Sequence, residues 1–310
     1  MFTITRGRAA ASVIALGLTV SLAACASGDP LDTGDDTDTG DSTSIIIGSQ
    51  GFPEADILAQ VYGQVLAANG FEVEYADPTG AREAFIPALQ DGSIDLIPDY
   101  AGNLLYGADD AATATSLDDI VAALPAALEP LGLEASDAAA AEDSDALVVT
   151  SEFATANNLT SIGDLAPIAS TVTLGANTEF EGRWRDGLAE TYGFEGFTFK
   201  PIDDFGGPAT LDELLKNSIQ VADIYTTTPS IKQNDLVVLE DDEDLFAAQN
   251  IIPLFNASIS SDELIELLNS VSAKLTTDDL LDLNEAYGAD DKPTAAAVAT
   301  AWLTDNGFLK

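Results

Sequence analysis

The chain has 310 residues, with 53 Asp and Glu against 11 Lys and Arg, a formal net charge of −42 and no histidine. Nucleic-acid backbones are gripped by clusters of Lys and Arg, so this balance excludes nucleic acid as a partner. Without histidine there is no Ser-His-Asp or Cys-His catalysis and no histidine metal site, and no Gly-x-Ser-x-Gly elbow is present. Most of the acids read as a solvated surface. The run Asp241-Asp242-Glu243-Asp244 lacks the glycine and alternating spacing of an EF-hand loop.

The first recognisable segment is an export signal. Arg6 and Arg8 precede an apolar run from Ala9 to Val20, followed by Leu22-Ala23-Ala24-Cys25. A basic start, a short apolar stretch and small residues before a cleavage point describe a secretory signal; the run is too short for a membrane span of about 20 residues. Leu-Ala-Ala-Cys resembles the bacterial lipobox, which implies a diacylglycerol on Cys25, the single cysteine of the chain, and attachment to a membrane surface without spanning it. Cleavage before Cys25 removes two arginines and no acid, taking the net charge to −44. Residues 25–44, rich in Asp, Gly, Thr and Ser, read as an acidic tether reaching roughly 20–25 Å.

Folded structure is expected from Ile45-Ile46-Ile47, a short apolar run ending at Gly48-Ser49 and typical of a buried parallel strand. Ile57, Leu58, Val61, Val65 and Leu66 share one helical face, closed at Asn69-Gly70. Phe71 to Tyr75 alternates as a strand, Ala84 to Gln90 reads as a helix, and Ile94 to Ile97 as the next strand. This βαβαβ rhythm predicts a mostly parallel sheet. It restarts with strands at 146–149 and 172–174, a capped turn at 161–165, a helix around Leu188, and strands at 220–225 and 236–239. Beyond Pro253 the pattern is helical: 263–275, 277–286 and 294–306, with acids and hydroxyls at the helix starts where the dipole favours them. Two α/β units followed by a helical return predict a discontinuous first lobe of residues 45–147 and 253–310, with a second lobe of 148–252. The chain then crosses twice between lobes. Such a two-strand hinge leaves a cleft suited to a ligand.

Four stretches carry a family resemblance across about residues 45–309. They are Ile47 to Glu54; Ala88 to Gly102, including Gly92-Ser93-Ile94-Asp95-Leu96-Ile97-Pro98-Asp99-Tyr100-Ala101-Gly102; Glu179 to Leu188; and Tyr225-Thr226-Thr227 continuing to Asp235 through Asp242. In this order they resemble the substrate-binding proteins of osmoprotectant ABC importers, the glycine betaine/carnitine/choline group. The resemblance implies an α/β, type II periplasmic-binding-protein-like fold and a monomeric, extracytoplasmic lipoprotein. Such a protein captures a small solute between its lobes and delivers it to an ABC permease.

A trimethylammonium group donates no hydrogen bond and is held by aromatic faces, at roughly 0.5–2 kcal/mol per contact; a carboxylate on the same solute calls for Arg or backbone N–H groups. The resemblance assigns Tyr100 and Tyr225 to the aromatic cage, Arg183 to a carboxylate clamp, and Gln50 and Asn103 to polar positions beside the ligand. Two further cage positions depart from the family pattern: Asp145 and Gln249 stand where relatives have tyrosines. Asp145 suits a cationic headgroup such as choline; an ectoine-like or amino-acid-like solute is the alternative. A carboxylate-based secreted enzyme is the remaining competitor. At the start of the helix near residue 82, Gly80 and Ala81 are expected to present backbone N–H groups, with Arg82 assisting. Trp184 reads as packing and Trp302 as core.

Overall fold

The computed structural model describes residues 44–310. The signal segment, Cys25 and all but the last residue of the tether lie outside the described residues. From Ile45 the chain builds β1 (Ile45–Ile47), α1 (Pro53–Ala68), β2 (Val73–Tyr75), α2 (Arg82–Asp91), β3 (Leu96–Tyr100), α3 (Ala101–Ala108), α4 (Leu117–Leu128) and β4 (Leu133–Ala135). It then crosses to β5 (Leu147–Thr150), α5 (Ser151–Asn157), a 3₁₀ segment over Ile162–Thr171, β6 (Thr173–Ala176), α6 (Thr178–Tyr192), β7 (Thr198–Pro201), α7 (Pro208–Leu215), β8 (Val221–Asp223), α8 (Ser230–Gln233) and β9 (Leu236–Val238). It returns through β10 (Ile251–Asn256) to α9 (Asp262–Ser272), α10 (Thr277–Tyr287) and α11 (Ala295–Asp305).

Two five-stranded sheets result, in the orders β2-β1-β3-β10-β4 and β7-β6-β8-β5-β9. The three strands of each βαβαβ unit are parallel, as their apolar runs predict. The mostly parallel expectation fails at the strands that follow a crossing. β10 runs antiparallel to both β3 and β4, and β5 runs antiparallel to both β8 and β9. A strand arriving from the other lobe enters from the cleft end, so it points against the strands that end there. The crossings also fall slightly earlier than the sequence suggests. Leu147 already pairs with Asp223 in the second sheet, and Ile251 already pairs with Tyr100 in the first.

β10 is a strand that the sequence pattern does not place, lying ahead of the expected helices. Its Pro253 lies opposite Pro98 of β3, so both missing backbone donors fall on one rung of the ladder. The three later helices start where their caps indicate. Ser261, Thr276 and Thr294 each accept a hydrogen bond from the third residue after them. They enclose α1, which opens with Pro53 at its first turn and buries Ile57, Leu58, Val61, Tyr62, Val65 and Leu66. Each such aliphatic side chain contributes about 1.5–3 kcal/mol on full burial. The phenol of the fully buried Tyr62 is satisfied by Ser272 Oγ at 3.0 Å. Trp302 is core as expected, its indole N–H donating to Asp279 Oδ1 at 2.9 Å.

The two crossings lie side by side and bond to each other. Ile251 N donates to Ala141 O at 2.9 Å and Asp143 N to Gln249 O at 3.2 Å. The return crossing also closes down on the start of α3. Gly102 N donates to Ala248 O at 3.0 Å and Ala101 N to Asn250 O at 2.9 Å. A Cβ on Gly102 would stand 2.7 Å from that Ala248 oxygen. The lobes also touch at their outer edges, where Lys232 of α8 pairs with Asp282 of α10 and Gln233 Nε2 donates to Glu285 Oε1 at 3.2 Å.

α2 is fixed to β3 by a charge pair. Arg82 grips Asp99 through Nε at 3.0 Å and Nη2 at 2.5 Å, and Gln50 Nε2 adds a bond at 2.9 Å. Asp99 is completely buried, so its charge depends on these partners.

Gly102→Ala is expected to cost about 1–3 kcal/mol in urea unfolding, because backbone must move to admit the methyl group. Gly182→Ala, on an open face of α6, should be neutral or stabilising by about 0.4–1 kcal/mol. Arg82→Ala should cost about 3 kcal/mol by stranding the Asp99 carboxylate. An unchanged midpoint for that variant would show that Asp99 does not need its partner.

Candidate functional site

A cavity of about 240 Å³ opens between the lobes. The first lobe contributes Gln50 and Phe52 from the β1–α1 loop, Arg82 at the start of α2, Tyr100 at the end of β3, and Asn103 and Tyr106 on α3. The second contributes Arg183 and Trp184 of α6 and Tyr225 just beyond β8. The crossings supply Asp143 and Asp145 on one pass and Phe246, Ala247 and Gln249 on the other.

Seven residues singled out from sequence therefore meet here: Gln50, Tyr100, Asn103, Asp145, Arg183, Tyr225 and Gln249. Gly80 and Ala81 are not among the lining residues. Thr79 ties their loop to Ser49 O through its backbone N–H at 2.8 Å and its hydroxyl at 2.9 Å. The Arg82 side chain, drawn inward by Asp99, lines the cavity in their stead. Gln249 has a defined local task as well: its Oε1 accepts from Asn103 N at 3.1 Å. Together with the bonds to Ala101 and Gly102, this leaves three first-turn amides of α3 already satisfied by the return crossing.

The walls are aromatic. Phe52 and Tyr100 stack with centroids 6.2 Å apart and planes at 23°. Trp184 meets Phe246 edge-on at 5.0 Å and 86°. Trp184, expected to be packing alone, therefore does both: it packs on Phe246 and faces the cavity. The Arg183 guanidinium lies 4.9 Å from the centre of the Trp184 ring. The sequence offers Glu179 and Asp186 as surface partners for Arg183, yet among the described residues no carboxylate lies within ion-pair distance of it. Arg185, two residues on, is by contrast paired with Glu181 at 2.6 Å.

Carboxylates are concentrated around this cavity. Behind Tyr100 lies Glu54, 5% exposed, accepting from Tyr100 Oη at 2.8 Å and from Asn284 Nδ2 at 2.6 Å. Burial holds its carboxyl above the ordinary range. Asp143 accepts from Thr227 Oγ1 at 2.8 Å. Burial, reinforced by the charge of Glu54, pushes it up to about 7. Asp145 is raised by burial and pulled back by Arg183. Asp223, 2% exposed, sits behind Asp145; its Oδ1 has no hydrogen-bond partner, and burial next to the Asp145 charge raises it far above the carboxylate norm. Burial also raises Tyr225, with the charges of Asp145 and Asp223 adding to it.

These shifts have a definite sign. Between roughly pH 4 and 7 the folded chain holds a proton on Asp143 that the unfolded chain has lost, so stability falls as pH rises through that window. Above it the whole cost of the buried charge is present.

Sequence reasoning missed Phe52, Tyr106, Asp143, Phe246 and Ala247, and gave Arg82 only a supporting part. Phe52 stands inside the Ile47-to-Glu54 stretch and was accessible to closer reading. Asp143 gave no signal: it sits in Glu142-Asp143-Ser144-Asp145 within a chain crowded with acids, and only the fold half-buries it beside Glu54. Among the described residues, no group of three or more acids is arranged to hold a metal ion, and no helix is long and apolar enough to cross a membrane.

Solved structures of known proteins share the fold, among them the following three. One described as a glycine betaine/carnitine/choline ABC transporter is 23% identical, with a TM-score of 0.78, covering 86% of this chain and 100% of its own. Apo YehZ from Escherichia coli is 22% identical, with a TM-score of 0.73, covering 86% and 99%. An ABC-transporter choline binding protein in complex with choline is 15% identical, with a TM-score of 0.54, covering 85% and 88%. These likenesses show the type II periplasmic-binding-protein architecture that the two mixed sheets display. Residues 43–305 match the family described as the substrate binding domain of ABC-type glycine betaine transport system. The chain belongs to that family, and is the extracytoplasmic solute-binding component of an ABC importer.

Proposed function

We propose that the interlobe cavity holds a quaternary-ammonium solute of the glycine betaine, choline or carnitine type for delivery to an ABC permease, by binding without turnover. The observation that carries this reading is the composition of the walls. Phe52, Tyr100, Tyr106, Trp184, Tyr225 and Phe246 surround a space whose charged groups are Asp143, Asp145, Arg183 and the Asp99-bound Arg82. Aromatic faces and carboxylates both attract a cation that cannot donate a hydrogen bond. Because the aromatic rings come from both lobes and from a crossing, the full set of contacts exists only when the lobes are together. The solute thereby shifts the population toward closure. A zwitterion of amino-acid or ectoine type is the second reading, favoured by Arg183, which lines the cavity and has no ion pair among the described residues.

Calorimetry of the protein with glycine betaine, choline, carnitine, ectoine and proline tests the choice. A quaternary ammonium is expected to bind most tightly, and Tyr100→Ala and Tyr225→Ala should each weaken it at least tenfold, about 1.4 kcal/mol. Preference for proline or ectoine, with both variants unaffected, would overturn the cage.

Cys25 is proposed to carry the lipid that keeps the domain at the membrane. Cys25→Ser should move the protein from the membrane fraction to the soluble one, followed by immunoblotting of fractionated cells. Retention of the variant at the membrane would place the anchor elsewhere.

A further inference from the structure

Asp143 is set apart from the other carboxylate lining the cavity by its surroundings. Asp145 has a cation within reach, since the charge of Arg183 acts on it. Asp143 has none. The side chains acting on it are Glu54 at the N-terminus of α1, Asp145 two residues along the same crossing, and the Thr227 hydroxyl beyond β8. Its charge is in turn felt by Tyr100 at the end of β3 and by Tyr225. The cavity's other cation, Arg82, is committed to Asp99 through two hydrogen bonds. Asp143 Oδ2 makes no hydrogen bond to any described residue, while Oδ1 is held by Thr227. Phe52, Tyr100 and Tyr225 line the cavity alongside it.

Asp143 has a second exposure. A separate cavity of about 350 Å³ lies against Asn284, Tyr287 and Thr228, and Phe52, Asp143 and Tyr225 line both spaces. The carboxyl therefore forms part of a partition, with the proposed ligand space on one side and a route to solvent on the other. A proton lost from Asp143 can leave without passing the bound solute.

We propose that Asp143 is the residue that selects a solute of net positive charge over a zwitterion, its carboxylate supplying the negative charge that the bound cation completes. This rests on the quaternary-ammonium reading of the cavity and deepens it. A cation such as choline meets a carboxylate that has no other counter-charge, so its binding drives the proton of Asp143 to solvent. Glycine betaine brings its own carboxylate, which repels Asp143 and leaves the proton in place. Cation affinity therefore rises with pH through the range where Asp143 ionises, while zwitterion affinity does not. Asp145, Arg82 and Arg183 are present in wild type and variant alike, so the change in the choline-to-betaine ratio between the two proteins reports on Asp143.

The test is calorimetry of the full chain in detergent, at constant ionic strength, with choline and glycine betaine as probes. In wild type, choline affinity should rise about tenfold between pH 6 and pH 8, with glycine betaine nearly flat. Asp143→Asn should lower the choline-to-betaine affinity ratio at pH 8 at least tenfold and abolish the choline pH slope. Should the variant fail to fold, titrating wild type at pH 7 in buffers of different ionisation enthalpy supplies the answer. Choline should release about half a proton per site and glycine betaine markedly less. A ratio unchanged in the variant, or choline binding with no pH slope and no proton release, overturns the inference while leaving the cavity's reading intact. Failure of both solutes to bind wild type overturns that reading and the inference with it.

Discussion

The site depends on negative charge buried without enough positive charge to balance it. Glu54, Asp99, Asp143, Asp145 and Asp223 stand in or immediately behind one cavity, and only Arg82 and Arg183 line it as cations. Placing an ionised carboxylate in a low-dielectric interior costs several kcal/mol unless partners compensate. Asp99 is compensated in part by Arg82 and Gln50, burial still holding its carboxyl above the ordinary range. Glu54 has neutral donors, Tyr100 and Asn284, and Asp143 has Thr227. Asp223 retains an oxygen with no partner at all. The molecule relieves part of this cost by keeping protons on some of these groups, and a bound cation relieves it by supplying charge. The same imbalance therefore weakens the empty protein and attracts its ligand, a division expected where a site has to be remade on every cycle of capture and release.

The fold makes such burial possible through its crossings. Asp143 and Asp145 lie on a short extended segment, between Ala141, which is bonded to Ile251 of β10, and Leu147, which begins β5. Alternate residues of an extended chain point to the same side, so Asp143 and Asp145 both reach the cavity while the Ser144 hydroxyl between them donates to Glu142 Oε2 at 3.4 Å. The return crossing lies across α3, with Gly102 admitting Ala248 and Gln249 reaching the amide of Asn103. Phe246, Ala247 and Gln249 are thereby laid along the cavity wall opposite. Hinge and binding wall are thus the same segments of chain, which couples a change of lobe angle directly to the spacing of the groups that would touch a solute.

Much of this was legible in the sequence, for identifiable reasons. Strands buried on both faces leave continuous apolar runs, so β1, β3 and β5 could be placed from Ile, Leu and Val alone. Ser, Thr and Asp caps marked α9, α10 and α11. β10 was not legible, because Pro253 suggests a break in a strand and only the facing Pro98 makes the arrangement consistent. The antiparallel insertions were equally hidden, since periodicity carries no strand direction. At the cavity, Tyr100, Arg183 and Tyr225 stood out through their motifs. Gly80 and Ala81 were drawn in by a general rule about helix N-termini, which the particular path of the Thr79 loop overrides.

Asp145 and Gln249, both lining the cavity, stand in different relations to charge. Gln249 is a neutral replacement whose carbonyl is spent on Asn103 N, so its contribution to the wall is mainly shape. Asp145 brings a carboxyl that burial raises and on which the charge of Arg183 acts in the opposite sense. Asp143 is different, because no cation offsets it. Aromatic faces hold a quaternary ammonium whether or not the solute also carries a carboxylate, since the quadrupole attracts the cationic end alone. A buried carboxylate responds to the charge of the whole solute. Exchanging the one for the other alters which solutes are told apart more than how tightly the headgroup is held.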